Sequence, residues 1–208
     1  YRVAPHPFGL VLSPDGTIAV TANSGTSPLS ISILKGIGSG KPSIMQIPEG
    51  AQTDKGILAS VFMGLAVSPD NQKVYVAGGQ ENLIYIFDVN TGERLGMIDC
   101  SDYSEHFDPE HGYIGDLVLS ADGSTIYAVD QINFRVASVD ALDKKLIKSI
   151  RVGRYPFGIA LSPDEKELYV ANVGMYEYEW IQSVDPDNLK ETVLKKPPFA
   201  YRSEESIE

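Results

Sequence analysis

Phe8-Gly9-Leu10-Val11-Leu12-Ser13-Pro14-Asp15-Gly16 is an apolar run closed by a serine-led acidic turn, after which the chain restarts as the β-rich Thr17-Ile18-Ala19-Val20-Thr21-Ala22. The same pattern recurs at 64–71, 116–123 and 157–165, with turn serines Ser13, Ser68, Ser120 and Ser162. Their intervals are 55, 52 and 42 residues. The shortest matches a four-stranded propeller blade, and the longer ones fit the same blade with inserted loops. A blade buries its faces only against its neighbours, so the repeat predicts architecture and leaves the chemistry open.

Within each repeat, alternation and turn residues define four antiparallel strands, A to D. The second copy predicts strands over 63–68, 73–77, 83–89 and 94–98, with hairpin turns at Ser68-Pro69-Asp70-Asn71 and Asn90-Thr91-Gly92. Proline presets φ there, and Asp or Asn side chains satisfy nearby backbone donors. The first copy predicts 9–13, 17–22, 29–34 and 43–47; the third 117–120, 125–129, 135–139 and 146–152; the fourth 158–162, 167–171, 180–184 and 191–194. The expected fold is therefore all-β, a β-propeller of four-stranded antiparallel blades. The blades span 3–48, 61–99, 113–152 and 155–195, and an acidic tail over 196–208 carries no further copy.

Val3-Ala4-Pro5-His6-Pro7-Phe8-Gly9 aligns without gaps on Val152-Gly153-Arg154-Tyr155-Pro156-Phe157-Gly158, which puts Tyr1 and Arg2 at the end of a D strand. The blade owning that strand is expected to precede the chain. At ~40–45 residues per blade, a seven-bladed ring needs about 300 residues, so four blades of such a ring are expected, with the remaining blades or a fused domain as partners; the alternative is a complete four-bladed propeller.

Hydrophobic residues make up 43% and charged residues 22%, a globular and not a disordered balance. No run is long enough for a transmembrane segment. The formal net charge is −11, which repels phosphate backbones, and no basic stripe with interleaved aromatics offsets it; nucleic acid is excluded as a partner. Cys100 is the only cysteine, so no internal disulfide is possible, and its place at the end of a D strand predicts a packed thiol.

Because strands alternate in direction, the A–B and C–D turns share one face and the B–C and D–A connections the other. The short repetitive A–B turns read as scaffold, and the variable loops lie opposite, where a ligand is expected. The B–C loops there carry Asn23, Asp130, Gln131, Asn133, Asn172, Tyr176 and Tyr178, followed by Trp180. Tyr176, Tyr178 and Trp180 could stack on a sugar or peptide or pack against the neighbouring blade. The segment 99–111 holds five carboxylates and two histidines and no Lys or Arg. Asp102, Glu105, His106, Asp108 and His111 are thus candidate ligands for a divalent metal, although their spacing matches no metal motif. The competing and favoured reading is a solvated acidic insert, extended and mobile without a cation. No cofactor is otherwise implied.

Catalytic patterns are missing from the sequence. The repeated serines are turn residues, no Gly-x-Ser-x-Gly elbow occurs, and no Gly-rich phosphate loop is found. Only His6, His106 and His111 could serve a nucleophilic triad.

Ile18-Ala19-Val20-Thr21-Ala22-Asn23, Val74-Tyr75-Val76-Ala77-Gly78 and Leu168-Tyr169-Val170-Ala171-Asn172, each following a turn serine, resemble the YVTN family of propeller repeats. The resemblance implies a seven-bladed ring in a surface-layer or other exported bacterial or archaeal protein, located in the periplasm, at the cell surface or outside the cell. Tyr113-Ile114-Gly115-Asp116-Leu117 and the stretches 127–136, 152–158 and 170–175 look like the propeller half of bacterial proteins that join such a ring to an alkaline-phosphatase-superfamily phosphoesterase. That enzyme's metal ligands and nucleophile have no counterparts in the chain, so the resemblance carries over no catalytic residue. The expected function is a non-catalytic scaffold presenting its B–C and D–A loops. The alternatives are a lactonase-like propeller, whose Pro-Arg-His type motif is replaced here by Pro5-His6-Pro7 and Arg154-Tyr155-Pro156, and a redox propeller similar to amine dehydrogenases or haem d1 proteins.

Overall fold

A computed structural model describes residues 1–24, 29–48, 52–53, 56–57, 61–80, 82–174, 177–180, 187 and 199–202. Described elements are strands and turns throughout, and no described helix is long and apolar enough to cross a membrane. The first sheet runs β1 (Pro7–Leu12), β2 (Ile18–Asn23), β3 (Ser30–Lys35) and β4 (Ser43–Pro48) in sequential antiparallel order. A small hairpin, β5 (Gln52–Thr53) with β6 (Gly56–Ile57), lies in the following insert. The second sheet is β7 (Leu65–Val67), β8 (Lys73–Ala77), β9 (Leu83–Asp88) and β10 (Arg94–Asp99). The third is β11 (Ile114–Leu119), β12 (Thr125–Asp130), β13 (Arg135–Asp140) and β14 (Lys145–Arg151). The fourth repeat contributes β15 (Pro156–Leu161) paired with β16 (Leu168–Asn172).

One element departs from expectation. The segment foreseen as the fourth C strand begins earlier, as β17 (Glu177–Trp180), and pairs with β18 (Phe199–Arg202) instead of β16. Tyr178 stands opposite Tyr201 and Trp180 opposite Phe199 in that register. The start of the expected acidic tail is therefore a strand. The expected strands over 181–184 and 191–194 lie outside the described residues.

The turn repeat has a common physical basis. In every copy the serine Oγ–H donates to the aspartate two residues on, at 2.6 Å for Ser13–Asp15 and Ser120–Asp122 and 2.7 Å for Ser162–Asp164, with Ser68–Asp70 alike. The same Oγ accepts the amide five residues on, from Ile18, Lys73, Thr125 and Glu167. The residue after each aspartate is left-handed: Gly16, Asn71, Gly123 and Glu165 have φ of 71°, 58°, 75° and 57°. Glycine and Asn adopt that region most easily. Neighbouring turns are also linked, since Asn71 Nδ2 donates to Asp15 Oδ2 at 2.7 Å and Ala121 N donates to Glu165 Oε1.

Strand alternation places the core between blades. In blade two, Val74, Val76, Tyr85 and Phe87 pack with Ile18, Val20, Ile31 and Ile33 of blade one. Tyr75, Ala77, Ile84 and Ile86 pack on the opposite side with Ile126, Ala128, Ala137 and Val139 of blade three. Each fully buried large aliphatic or aromatic side chain contributes about 1.5–3 kcal/mol of transfer free energy. Inner strands β1, β7, β11 and β15 are successive neighbours. They approach so closely that a Cβ on Gly9 would lie 1.9 Å from Met63 O, and one on Gly64 would lie 2.6 Å from Asp116 Cα. Three residues before the turn serine, Leu65 and Leu117 are 7% and 4% exposed, whereas their equivalent in blade one, Leu10, is 70% exposed.

Candidate functional site

The inner strands start on the face that carries the B–C and D–A loops. β1, β11 and β15 each carry a register shift at their first residues, between Pro7 and Gly9, Ile114 and Asp116, and Pro156 and Gly158. Bulges of this kind re-aim side chains at a rim. His6 and Tyr155, equivalent in the gapless alignment, share a left-handed backbone with φ of 54° and 53°. Aromatic side chains converge here from three blades. The Phe62 ring lies edge-to-face with Tyr113 (centroids 5.3 Å apart) and with Phe157 (5.9 Å). The Tyr113 phenol is held above its ordinary pKa by burial, with the neighbouring Tyr155 phenol adding to the shift. Phe62, Tyr113 and Tyr155 are half-buried and Phe157 is 36% exposed, so part of this aromatic tier meets solvent.

Several predicted ligand residues turn out to build the frame. Asn23 is buried, its Nδ2 donating to Ser30 Oγ (3.1 Å) and Ser32 Oγ (3.0 Å) and its Oδ1 accepting from Thr21 Oγ1. Asp130 is fully buried; Oδ1 accepts the amides of Tyr113, Ile132 and Asn133, and Oδ2 accepts from Arg135 Nε at 3.0 Å. Gln131 is buried against Gly115, with no described hydrogen bond at its Nε2. Asn172 is exposed and abuts Gly153. Tyr176 and the side chains of Tyr178 and Trp180 lie outside the described residues.

The acidic insert is tied to blade three by hydrogen bonds, which corrects the expectation of an extended loop. Asn133 Oδ1 accepts the Asp108 amide at 2.8 Å, and its Nδ2 donates to the carbonyls of His111 (2.8 Å) and Asp108 (3.1 Å). The guanidinium of Arg135, itself fully buried, reaches Cys100 O (2.6 Å), Ser149 Oγ (2.6 Å) and, at 3.8 Å, Asp102 Oδ2. Phe107 lies under both Arg135 and Arg151, whose guanidinium carbons are 5.2 and 5.7 Å from its centroid. The cations missing from the insert's own sequence thus come from β13 and β14.

Two of the candidate metal ligands, Asp102 and Asp108, have their carboxylates engaged by protein hydrogen bonds. Asp102 has its pKa lowered chiefly by a hydrogen bond from Ser149, and also by Ser104 and Arg135. Asp108 has its pKa lowered first by His111, whose Nδ1 is 2.9 Å from Oδ2, and then by the amides of Glu110 and His111. His106 contributes its carbonyl, accepting from Arg151. Glu105 is exposed. Among the described residues no three His, Cys, Asp or Glu side chains come together to hold a metal ion. Cys100 is buried, and that burial pushes its thiol up to about 12, consistent with a packing role.

Sequence reasoning missed Arg135, Phe62, Tyr113 and Phe157 as site-forming residues.

The architecture is that of a β-propeller. No family model and no curated protein matches the chain. Solved structures do: hydrazine synthase of Kuenenia stuttgartiensis is similar with a TM-score of 0.61 at 20% identity, over 85% of this chain and 46% of that one. A functionally unknown protein from Desulfotomaculum acetoxidans DSM 771 is similar with a TM-score of 0.57 at 15% identity, over 83% and 52%. The chain therefore spans about half the length of these structures, and the likeness concerns fold.

Proposed function

We propose that the chain is a non-catalytic propeller scaffold that binds a ligand or partner at its loop face, centred on the aromatic tier. The observation carrying this reading is the convergence of Phe62, Tyr113 and Phe157 from three blades on one partly exposed rim. The insert's hydrogen bonds to blade three support it, because loops held by a scaffold around an opening are the usual setting of a binding site. On the YVTN resemblance, the parent protein is exported or displayed at the cell surface. Further blades cover the face bearing Leu10, and a phosphoesterase domain is a candidate fusion.

The test is a protein-observed NMR screen of glycans, short peptides and aromatic fragments, run alongside turnover assays on lactones and phosphodiesters with and without divalent metal. Binders that shift the Tyr113 and Phe62 ring resonances, without turnover, are expected. Turnover, or binders mapping only to the A–B turn face, overturns the reading.

A further inference from the structure

Four residues before the turn serine, three blades carry glycine and blade three carries Asp116. The Asp116 side chain reaches across to blade four, where Oδ2 accepts Ile159 N at 3.3 Å while Oδ1 accepts Leu117 N at 2.9 Å. Burial raises its pKa, so the position is costly for an anion. Among the described residues no basic side chain pairs with it. A half-buried carboxylate that breaks the repeat, is held by two backbone amides and has no basic side chain beside it among the described residues is a candidate for function.

The aromatic tier lies just above it. Phe62 precedes Gly64, which abuts Asp116, by two residues; Phe157 precedes Ile159 by two; Tyr113 precedes Asp116 by three. At roughly 3.3 Å per strand residue, the Cα atoms of these aromatic residues precede those positions by about 7–10 Å along their strands, toward the loop face. Aromatic faces carry negative potential and attract ammonium groups.

The geometry points to a site for an organic cation, a protonated amine with an apolar body, whose charge meets Asp116 and whose body lies among Phe62, Tyr113 and Phe157. It rests on the loop-face binding reading and adds the chemical class of the ligand. Calorimetric titration with 2-phenylethylammonium, its neutral analogue 2-phenylethanol and the anion phenylacetate tests it.

The ammonium is expected to bind at least tenfold more tightly than the alcohol, with no binding of phenylacetate. Asp116→Gly, which restores the residue of the other blades, and Asp116→Asn should both abolish that preference. Phe62→Leu should weaken ammonium and alcohol alike. The preference in the unaltered chain is read without any variant, so a folding defect in one of them leaves the proposal testable. Equal binding of alcohol and ammonium, or a preference that survives Asp116→Gly in a folded variant, overturns the cation assignment while leaving loop-face binding intact. No binding of the ammonium at millimolar concentration also overturns it.

Discussion

Arg135 Nε lies 3.0 Å from Asp130 Oδ2, and both side chains are fully buried. The pair links the B–C loop of blade three to the insert arriving from blade two, because the same guanidinium also holds Cys100 O. Removing one partner of a buried pair strands a charge, which typically costs about 3–5 kcal/mol. Arg135→Met is expected to lower stability on that scale in urea denaturation and to raise amide exchange over 101–111. Asp130→Asn combined with Arg135→Met should cost less than the sum of the single changes.

Turn substitutions should act on stability and spare binding. Ser120→Ala removes a buried hydroxyl that donates to Asp122 and accepts from Thr125 N. The expected cost is about 0.5–1.5 kcal/mol per hydrogen bond lost, read from the denaturation midpoint. Binding lost without a change in stability would put the functional face on the wrong side.

The same turns predict an acid dependence. Asp15 and Asp122 are both lowered to about 2 from the ordinary 3.8, first by the Ser13 and Ser120 hydroxyls respectively and then by further local hydrogen bonds. A carboxyl whose folded pKa is depressed binds its proton more readily when unfolded, so its stabilisation is full above the unfolded value and fades as pH falls toward the folded one. The melting temperature should therefore drop between about pH 4 and about pH 2. Asp15→Asn with Asp122→Asn should flatten that drop.

Metal addition separates the two readings of the insert. Since Asp102 and Asp108 already accept protein hydrogen bonds, calcium, zinc or manganese at millimolar levels should leave the melting temperature nearly unchanged. Saturable stabilisation that disappears in Glu105→Ala with His106→Ala would establish a metal site.

Leu10 and Leu65 occupy equivalent positions with opposite exposure. Leu65→Ala should cost about 2–5 kcal/mol through the cavity it leaves between blades. Leu10→Ala in residues 1–208 should stay within about 0.5 kcal/mol. If further blades cover this face in a longer protein, Leu10→Ala becomes as damaging there as Leu65→Ala, and the short chain self-associates in size-exclusion chromatography.

Local rules made the repeat readable. Ser-x-Asp followed by a left-handed residue is a turn whose bonds span five residues, and the strands around it alternate with period two, so strand order and blade faces followed from neighbours in sequence. The 177–180 with 199–202 pairing escaped, because hydrogen-bond partners some twenty residues apart carry no local signature.

The site was decided by contacts of the same non-local kind. Residues 99–111 by themselves read as an uncompensated acidic loop, and only the fold brings Arg135, Asn133 and Arg151 against them. Likewise Asn23 and Asp130 look like ligand residues in sequence, yet tertiary packing turns them inward and assigns their hydrogen bonds to the frame. Sequence determined the blades because each is built from short-range hydrogen bonds and alternation. The rim required the tertiary structure because it is assembled from strand starts of three blades, which approach only when the blades pack side by side.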